Sequence, residues 1–196
     1  MKIGLVLSGG GARGIVHAGV LKAMDEAGIK PDLISATSSG AIIGSLYSAG
    51  YNPDSILEIL HTTKLLRHVR PAWGRGGLLS SDKLQEIFYK IFGDSDLNAL
   101  EIPTIINAVN INTGCSRYFE SGSLVRILAA SSAVPMMFNP VKIEDSLYID
   151  GGVLDNLPVK PLVGKADFIV GVHSNPVDPK FMVRGFKSML ERTLLL

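Results

Sequence analysis

The chain has 196 residues, 46% of them apolar and 19% charged, against about 25% charged in an ordinary soluble domain. Such a chain buries roughly 70% of its unfolded surface as one compact domain, which excludes a disordered or fibrous protein. A net charge of +1 excludes the basic footprint of a general nucleic-acid binder, and the single cysteine, Cys115, excludes an internal disulfide framework and an all-cysteine zinc site.

Met1-Lys2 leads straight into the apolar run Ile3 to Leu7, too short for a signal peptide, so no targeting segment is expected. That run, ended by Ser8-Gly9-Gly10-Gly11, predicts a buried strand. From Ile15 to Ala27 the apolar residues Val16, Val20, Ala23, Met24 and Ala27 recur at helical spacing, with Gly28 in the position of a helix-ending glycine. Leu33 to Ala36 predicts a second strand, running through Thr37-Ser38-Ser39-Gly40 into a helix that ends near Ala49. The uncharged stretch between Asp32 and Asp54 has the length of a bilayer span. Its interspersed serines and glycines favour a buried helix instead. This strand–helix–strand–helix opening implies a parallel sheet with helices packed on it.

Further along, Asn52-Pro53 predicts a capped helix to about Leu66. Ser81-Asp82 opens another, with Leu84, Ile87, Phe88 and Ile91 on one face and Gly93 closing it. Thr104 to Val109 and Arg117 to Phe119 are candidate strands, and Ser123 caps a helix that ends before Pro135. Leu147 to Ile149 and Phe168 to Val172 read as two more strands. The chain stops inside Thr193 to Leu196 without a cap, so either more chain follows or this apolar end docks.

Two glycine-rich turns carry the chemistry. Gly9-Gly10-Gly11-Ala12-Arg13-Gly14 fits G-x-G-x-x-G between a strand and a helix. A dinucleotide site further requires an acidic residue ending the second strand. Here that strand ends in Ala36-Thr37-Ser38, and Asp32 lies at its wrong end. No cofactor is therefore expected, and what survives is a loop of exposed backbone N–H groups suited to an incipient negative charge. Ala36-Thr37-Ser38-Ser39-Gly40 resembles the nucleophile elbow G-x-S-x-G, which needs small neighbours because the strand reverses sharply around the serine. A bland strand–helix turn reads equally well from this pentapeptide alone. Leu147 to Gly152 ends a strand in Asp150-Gly151-Gly152, which by itself is an ordinary Asp-Gly turn.

Gly9 to Gly14, Ala36 to Ala41 and Asp150-Gly151-Gly152, in this order, resemble the three signatures of the patatin-like phospholipase family. The connecting segments Ala130 to Pro135 with Phe138 and Pro140, and Val153 to Val159, agree, so the resemblance covers roughly residues 3 to 175. Alanine at position 36, where the family usually has glycine, is the one departure. The resemblance and the pattern together imply a three-layer α/β/α fold with a mainly parallel central sheet, a single domain over residues 1–196 that lacks C-terminal elements if more chain follows.

The resemblance further implies a serine acyl-ester hydrolase acting on a lipid or acyl ester, with Ser38 as nucleophile and Asp150 as general base. Backbone amides of Gly9, Gly10 and Gly11 would form the oxyanion hole, with Arg13 adding positive charge. A carboxyl of ordinary pKa near 3.9 is a poor base at neutral pH, so a dry site is expected to raise it. A Ser38–Asp150–His173 triad, in the chain order of α/β-hydrolases, is the rival arrangement, and pattern alone leaves the two level. Met136, Met137 and Phe138 are candidates for an acyl-chain pocket or for core. Arg67, His68, Arg70 and Arg75 around Trp73 suit either anionic lipid headgroups, as a peripheral membrane contact, or a solvated loop. Asp145, Asp150 and Asp155 lack metal-ligand spacing, so no metal is expected. The expected location is cytoplasmic, with docking on the inner membrane face allowed by a mean hydropathy of +0.29, and self-association is left open. A non-enzymatic lipid-sensing module using the same pocket is the alternative from another class.

Overall fold

A computed structural model describes residues 1–63, 80–175, 179–182, 185, 189 and 192. Seven strands form one sheet: β1 (Ile3–Leu7), β2 (Leu33–Thr37), β3 (Thr104–Asn110), β4 (Cys115–Phe119), β5 (Val141–Ile143), β6 (Ser146–Asp150) and β7 (Phe168–Val172). The described α-helices are α1 (Val16–Glu26), α2 (Ser39–Ser48), α3 (Pro53–Thr62), α4 (Ser81–Phe92) and α5 (Leu124–Ser131). The strands pair along the path β5-β6-β3-β2-β1-β7, with β6 and β2 both bonded to one edge of β3 and β4 to the opposite edge. β7, β1, β2 and β3 are mutually parallel, while β3–β4, β3–β6 and β5–β6 pair antiparallel.

Strand alternation sorts the core. Leu5, Leu7, Ile34, Ala36, Ile106 and Ala108 join one large cluster with all five helices. The steps β1 to β2 and β2 to β3 go the same way across the sheet, so right-handed crossovers place the intervening helices on this one face. The opposite residues Val6, Leu33 and Ile105 pack against Leu162, Leu157, Val159 and Ala166. Those residues belong to the return segment from β6 to β7, which covers the second face with a 3₁₀ turn at Lys160–Leu162. Helical structure thus flanks the sheet on both faces.

Local chemistry sets the predicted boundaries. Gly28, at φ 68, ends α1 in a Schellman arrangement, with Ile29 N–H on Met24 C=O at 2.8 Å. Asn52 caps α3 by accepting from Ser55 N–H at 2.8 Å, and Pro53 takes the first helical position. Ser80, one residue before the predicted opening, caps α4. The expected continuation of α3 toward Leu66 and the cation cluster around Trp73 lie outside the described residues. The uncharged stretch forms β2 and α2, and every residue of the ten-residue α2 is buried. Among the described residues, no helix is long and apolar enough to cross a membrane. β5 spans three residues, too few to leave a periodic signal in sequence.

Candidate active site

β2 ends at Thr37, and the chain turns at Ser38 into the N-terminus of α2. Ser38 sits at φ 51, ψ −121, a region that L-residues rarely adopt and that costs on the order of 1–3 kcal/mol. Two contacts hold it there. The Ser38 N–H donates to Ser131 Oγ at 2.8 Å, and Ser131 Oγ donates onward to the Asn107 carbonyl at 2.7 Å. Two residues on, Gly40 packs so closely on the end of β1 that a Cβ would collide with the Leu7 and Ser8 carbonyl oxygens. The elbow therefore needs glycine at 40 for proximity, not for backbone freedom. Ala36 is buried, and its methyl faces Gly44 of α2, where a Cβ would still stand 3.9 Å away. The departure from the family pattern therefore fits without crowding α2.

Asp150 arrives from the opposite direction. β4 occupies one edge of β3, so β2 and β6 share the other, end to end. Thr37 lies opposite Asn107 and Asp150 opposite the next residue, Ala108. β2 runs parallel to β3 and β6 antiparallel, so their C-terminal ends meet tip to tip. This junction brings Ser38 and Asp150 together. The Asp150 carboxylate accepts a hydrogen bond through Oδ1 from Gly152 N–H at 2.7 Å, and the Ser38 side chain lies beside it. Burial pushes its pKa up to about 6, and Gly152 N–H and the Ser38 hydroxyl, which favour the charged form, oppose part of that rise. Ser38 and Asp150 are 4% and 6% exposed, so both lie under the surface of the site.

Several residues that sequence reading passed over hold this junction. Asn107 Nδ2 donates to the carbonyls of Gly151 at 3.1 Å and Asp155 at 2.8 Å, and Thr37 Oγ1 also donates to Asp155 C=O at 3.1 Å. A Cβ on Gly151 would lie 2.5 Å from the Asn107 carbonyl oxygen, so glycine there lets β6 close on β3. The end of α5 touches both halves: Ser131 binds Ser38, and Ala133 C=O accepts from Asp150 N–H at 3.0 Å. Tyr118 donates to Asp155 Oδ2 at 2.7 Å, and burial beside that carboxylate pushes the phenol up to about 12. A buried Asn in mid-strand was the one available sequence signal, since a polar residue amid the apolar run Ile105 to Val109 demands partners.

The glycine loop borders the pair. A Cβ on Gly9 would stand 3.2 Å from Ser38 Cβ. Of its three expected donors, Gly9 N–H is engaged, donating to Asn156 C=O at 3.1 Å. Gly10 and Gly11 N–H have no acceptor among the described residues, and Gly11, at φ 56, needs glycine to turn the loop. Arg13 is exposed, and among the described residues its side chain makes no ion pair. His17 is fully buried with Nε2 on the Ser8 carbonyl at 2.8 Å, and burial lowers its pKa. His173 pairs Nδ1 with Asn175 C=O at 2.9 Å, not with Asp150. Phe138 is core and Met137 packs against that core, whereas Met136 is 59% exposed.

A buried hydroxyl beside a buried carboxylate of raised pKa, next to free backbone N–H groups, is equipped for nucleophilic attack with charge stabilisation. The chain is 35% identical over 188 residues to lysophospholipase NTE1 of Debaryomyces hansenii, covering 91% of this chain and 12% of that protein. An uncharacterized NTE family protein of Mycobacterium tuberculosis is 33% identical over 181 residues, covering 89% of this chain and 49% of its own length. The chain therefore spans about an eighth of the fungal relative and about half of the mycobacterial one. Among solved structures, VipD from Legionella pneumophila superposes with a TM-score of 0.57 at 17% identity, over 80% of this chain and 47% of that one, a likeness of fold. The profile of the patatin-like phospholipases matches residues 5–163, and with the elbow and its carboxylate in place this chain belongs to the patatin-like phospholipase family.

Proposed function

We propose that this chain is a serine acyl-ester hydrolase of lipid esters, with lysophospholipids as the substrate class that its fungal relatives' names favour. The single observation that carries the reading is the meeting of β2 and β6 along β3, which sets the Ser38 side chain beside the buried Asp150 carboxylate. Ser38 Oγ attacks the ester carbonyl while Asp150 takes its proton, and the carbonyl oxygen becomes an oxyanion. Gly10 and Gly11 N–H stabilise that charge, aided by the positive end of α2 behind the elbow. Asp150 then protonates the departing alcohol, and the acyl group stays on Ser38. A water, giving its proton to Asp150, releases the fatty acid and restores the serine. Base and nucleophile are thus a dyad, with His173 outside it. Raising the carboxyl to about 6 keeps Asp150 ionised at neutral pH while making it a stronger base than an exposed aspartate.

Fluorophosphonate labelling and hydrolysis of lysophosphatidylcholine, phosphatidylcholine and monoacylglycerol test this. The expected result is labelling at Ser38, lost in Ser38→Ala, and fastest release of fatty acid from the lysophospholipid. A folded wild-type protein that neither labels nor hydrolyses any of the three refutes the reading and supports a lipid-sensing module.

A further inference from the structure

The chain leaving β7 packs its first polar residues onto the glycine loop. β1 and β7 are parallel with Leu7 opposite Val172, so both chains emerge at the same edge of the sheet, and Ser8 N–H still reaches Val172 C=O at 3.0 Å. There Ser174 and Asn175 are buried, at 8% and 4% exposure. Ser174 Oγ donates to the Gly9 carbonyl at 2.9 Å, and Asn175 Nδ2 donates to the same oxygen at 3.1 Å. Ser8 Oγ stands 3.0 Å from that oxygen and accepts from Ser174 N–H at 2.9 Å. The other side of the same glycine is fixed too, by Gly9 N–H on Asn156 C=O.

A peptide unit is planar and trans, so its C=O and N–H point in opposite directions. Pinning the Gly9 carbonyl therefore fixes the direction of the Gly10 N–H, one of the two free donors of the loop. Hydrogen bonds onto a carbonyl also polarise the unit and strengthen its N–H as a donor. A Cβ on Gly10 would collide with Ser174 Oγ, so the clamp and the loop fit against each other directly. Ser174 and Asn175 lie beyond the 5–163 segment that matches the family profile.

We propose that Ser174 and Asn175 are positioning residues for the oxyanion hole, holding the Gly9–Gly10 peptide so that Gly10 N–H is aimed before substrate arrives. This inference rests on the hydrolase reading above. Loss of one oxyanion donor typically lowers kcat about 10²–10³-fold, and misaiming it is expected to forfeit part of that.

The test uses Ser174→Ala, Asn175→Ala, and Asn175→Asp, which keeps the shape but replaces the donating amide with a carboxylate facing a carbonyl. Each is measured for kcat and KM on p-nitrophenyl butyrate and for the rate of fluorophosphonate labelling, whose phosphoryl oxygen occupies the oxyanion position. The expected result is a fall in kcat of about tenfold for each alanine variant and more for Asn175→Asp. KM should stay within about twofold, and labelling should slow by the same factor as kcat/KM. If the wild type labels at Ser38 and folded variants label and turn over at its rate, the clamp is refuted and the hydrolase reading stands. If KM rises with kcat unchanged, the residues bind substrate and do not aim the loop, which also refutes it. A wild type that does not label at Ser38 overturns both readings.

Discussion

Ser38 and Asp150 reach one point by different kinds of construction. Ser38 is formed within one strand–helix unit, where β2 ends, the backbone takes a strained turn and α2 begins within one residue, and Ser131 of α5 then holds its N–H. Asp150 is set by the meeting of β2 and β6 along one edge of β3, a relation between strands far apart in sequence. The first half stores its cost in a dihedral angle and the second stores it in a buried charge. The geometry of the candidate site is thus half local and half topological, and the halves are expected to fail in different ways when perturbed.

The largest effect tests the local half. Ser38→Ala is expected to lower esterase kcat by about 10⁴-fold or more while leaving the fold intact. Ser38→Gly, equally inactive, should melt above Ser38→Ala in a thermal scan, because glycine relieves a strain of about 1–3 kcal/mol that alanine retains. Equal melting temperatures would mean that the elbow is not strained.

The topological half is tested next. Asp150→Asn is expected to lower kcat about 10²–10⁴-fold. In the wild type, kcat/KM should rise with pH and level off above about 6, since only the ionised carboxylate accepts the proton. The stability sign runs the other way. A folded-state pKa raised from 3.8 to about 6 means that the native state binds the proton more tightly. The contribution of Asp150 to stability is then most favourable below pH 4, declines to about pH 6 and stays level above, at a cost of about 3 kcal/mol. Asp150→Asn should therefore melt above wild type at pH 7, and the difference should shrink at pH 4, as thermal scans at the two pH values would show.

Smaller effects separate the supports. Asn107→Leu strips donors from the Gly151 and Asp155 carbonyls and is expected to destabilise by about 1–3 kcal/mol in urea unfolding. His173→Ala is expected to change kcat less than twofold, because Nδ1 is held by Asn175 C=O and the Asp150 carboxylate accepts from Gly152 N–H, with no bond to His173. A hundredfold loss in folded His173→Ala would restore the triad.

The parts legible in sequence are those whose cause is short-range. Ile3 to Leu7 reads as a strand from its apolar run, Gly28 as a helix end from its backbone freedom, and Ser38 as a sharp strand–helix turn from its small neighbours, its role as nucleophile being implied by the family resemblance. Asp150 was legible only through the resemblance of its Asp-Gly-Gly segment, since the same residues make an ordinary turn. Asn107, Ser131, Ser174 and Asn175 left almost no trace, because each acts on a partner from another strand or helix and has no spacing of its own. Phe138 was ambiguous for the same reason, an apolar residue near a site being equally good as core or as pocket. It is core.

By itself, the sequence determined the order of the described helices and of every strand but β5, the strand–helix turn at Ser38 and the place of the glycine loop, since these follow from dihedral preferences and apolar periodicity over a few residues. Only the tertiary structure decided that β6 continues the edge of β3 where β2 stops, that Gly9 N–H is engaged while Gly10 and Gly11 N–H are free, and that Asp150 is dry enough to sit near pKa 6. Register, desolvation and the pairing of backbone groups are properties of elements brought together by the fold, and no local pattern encodes them.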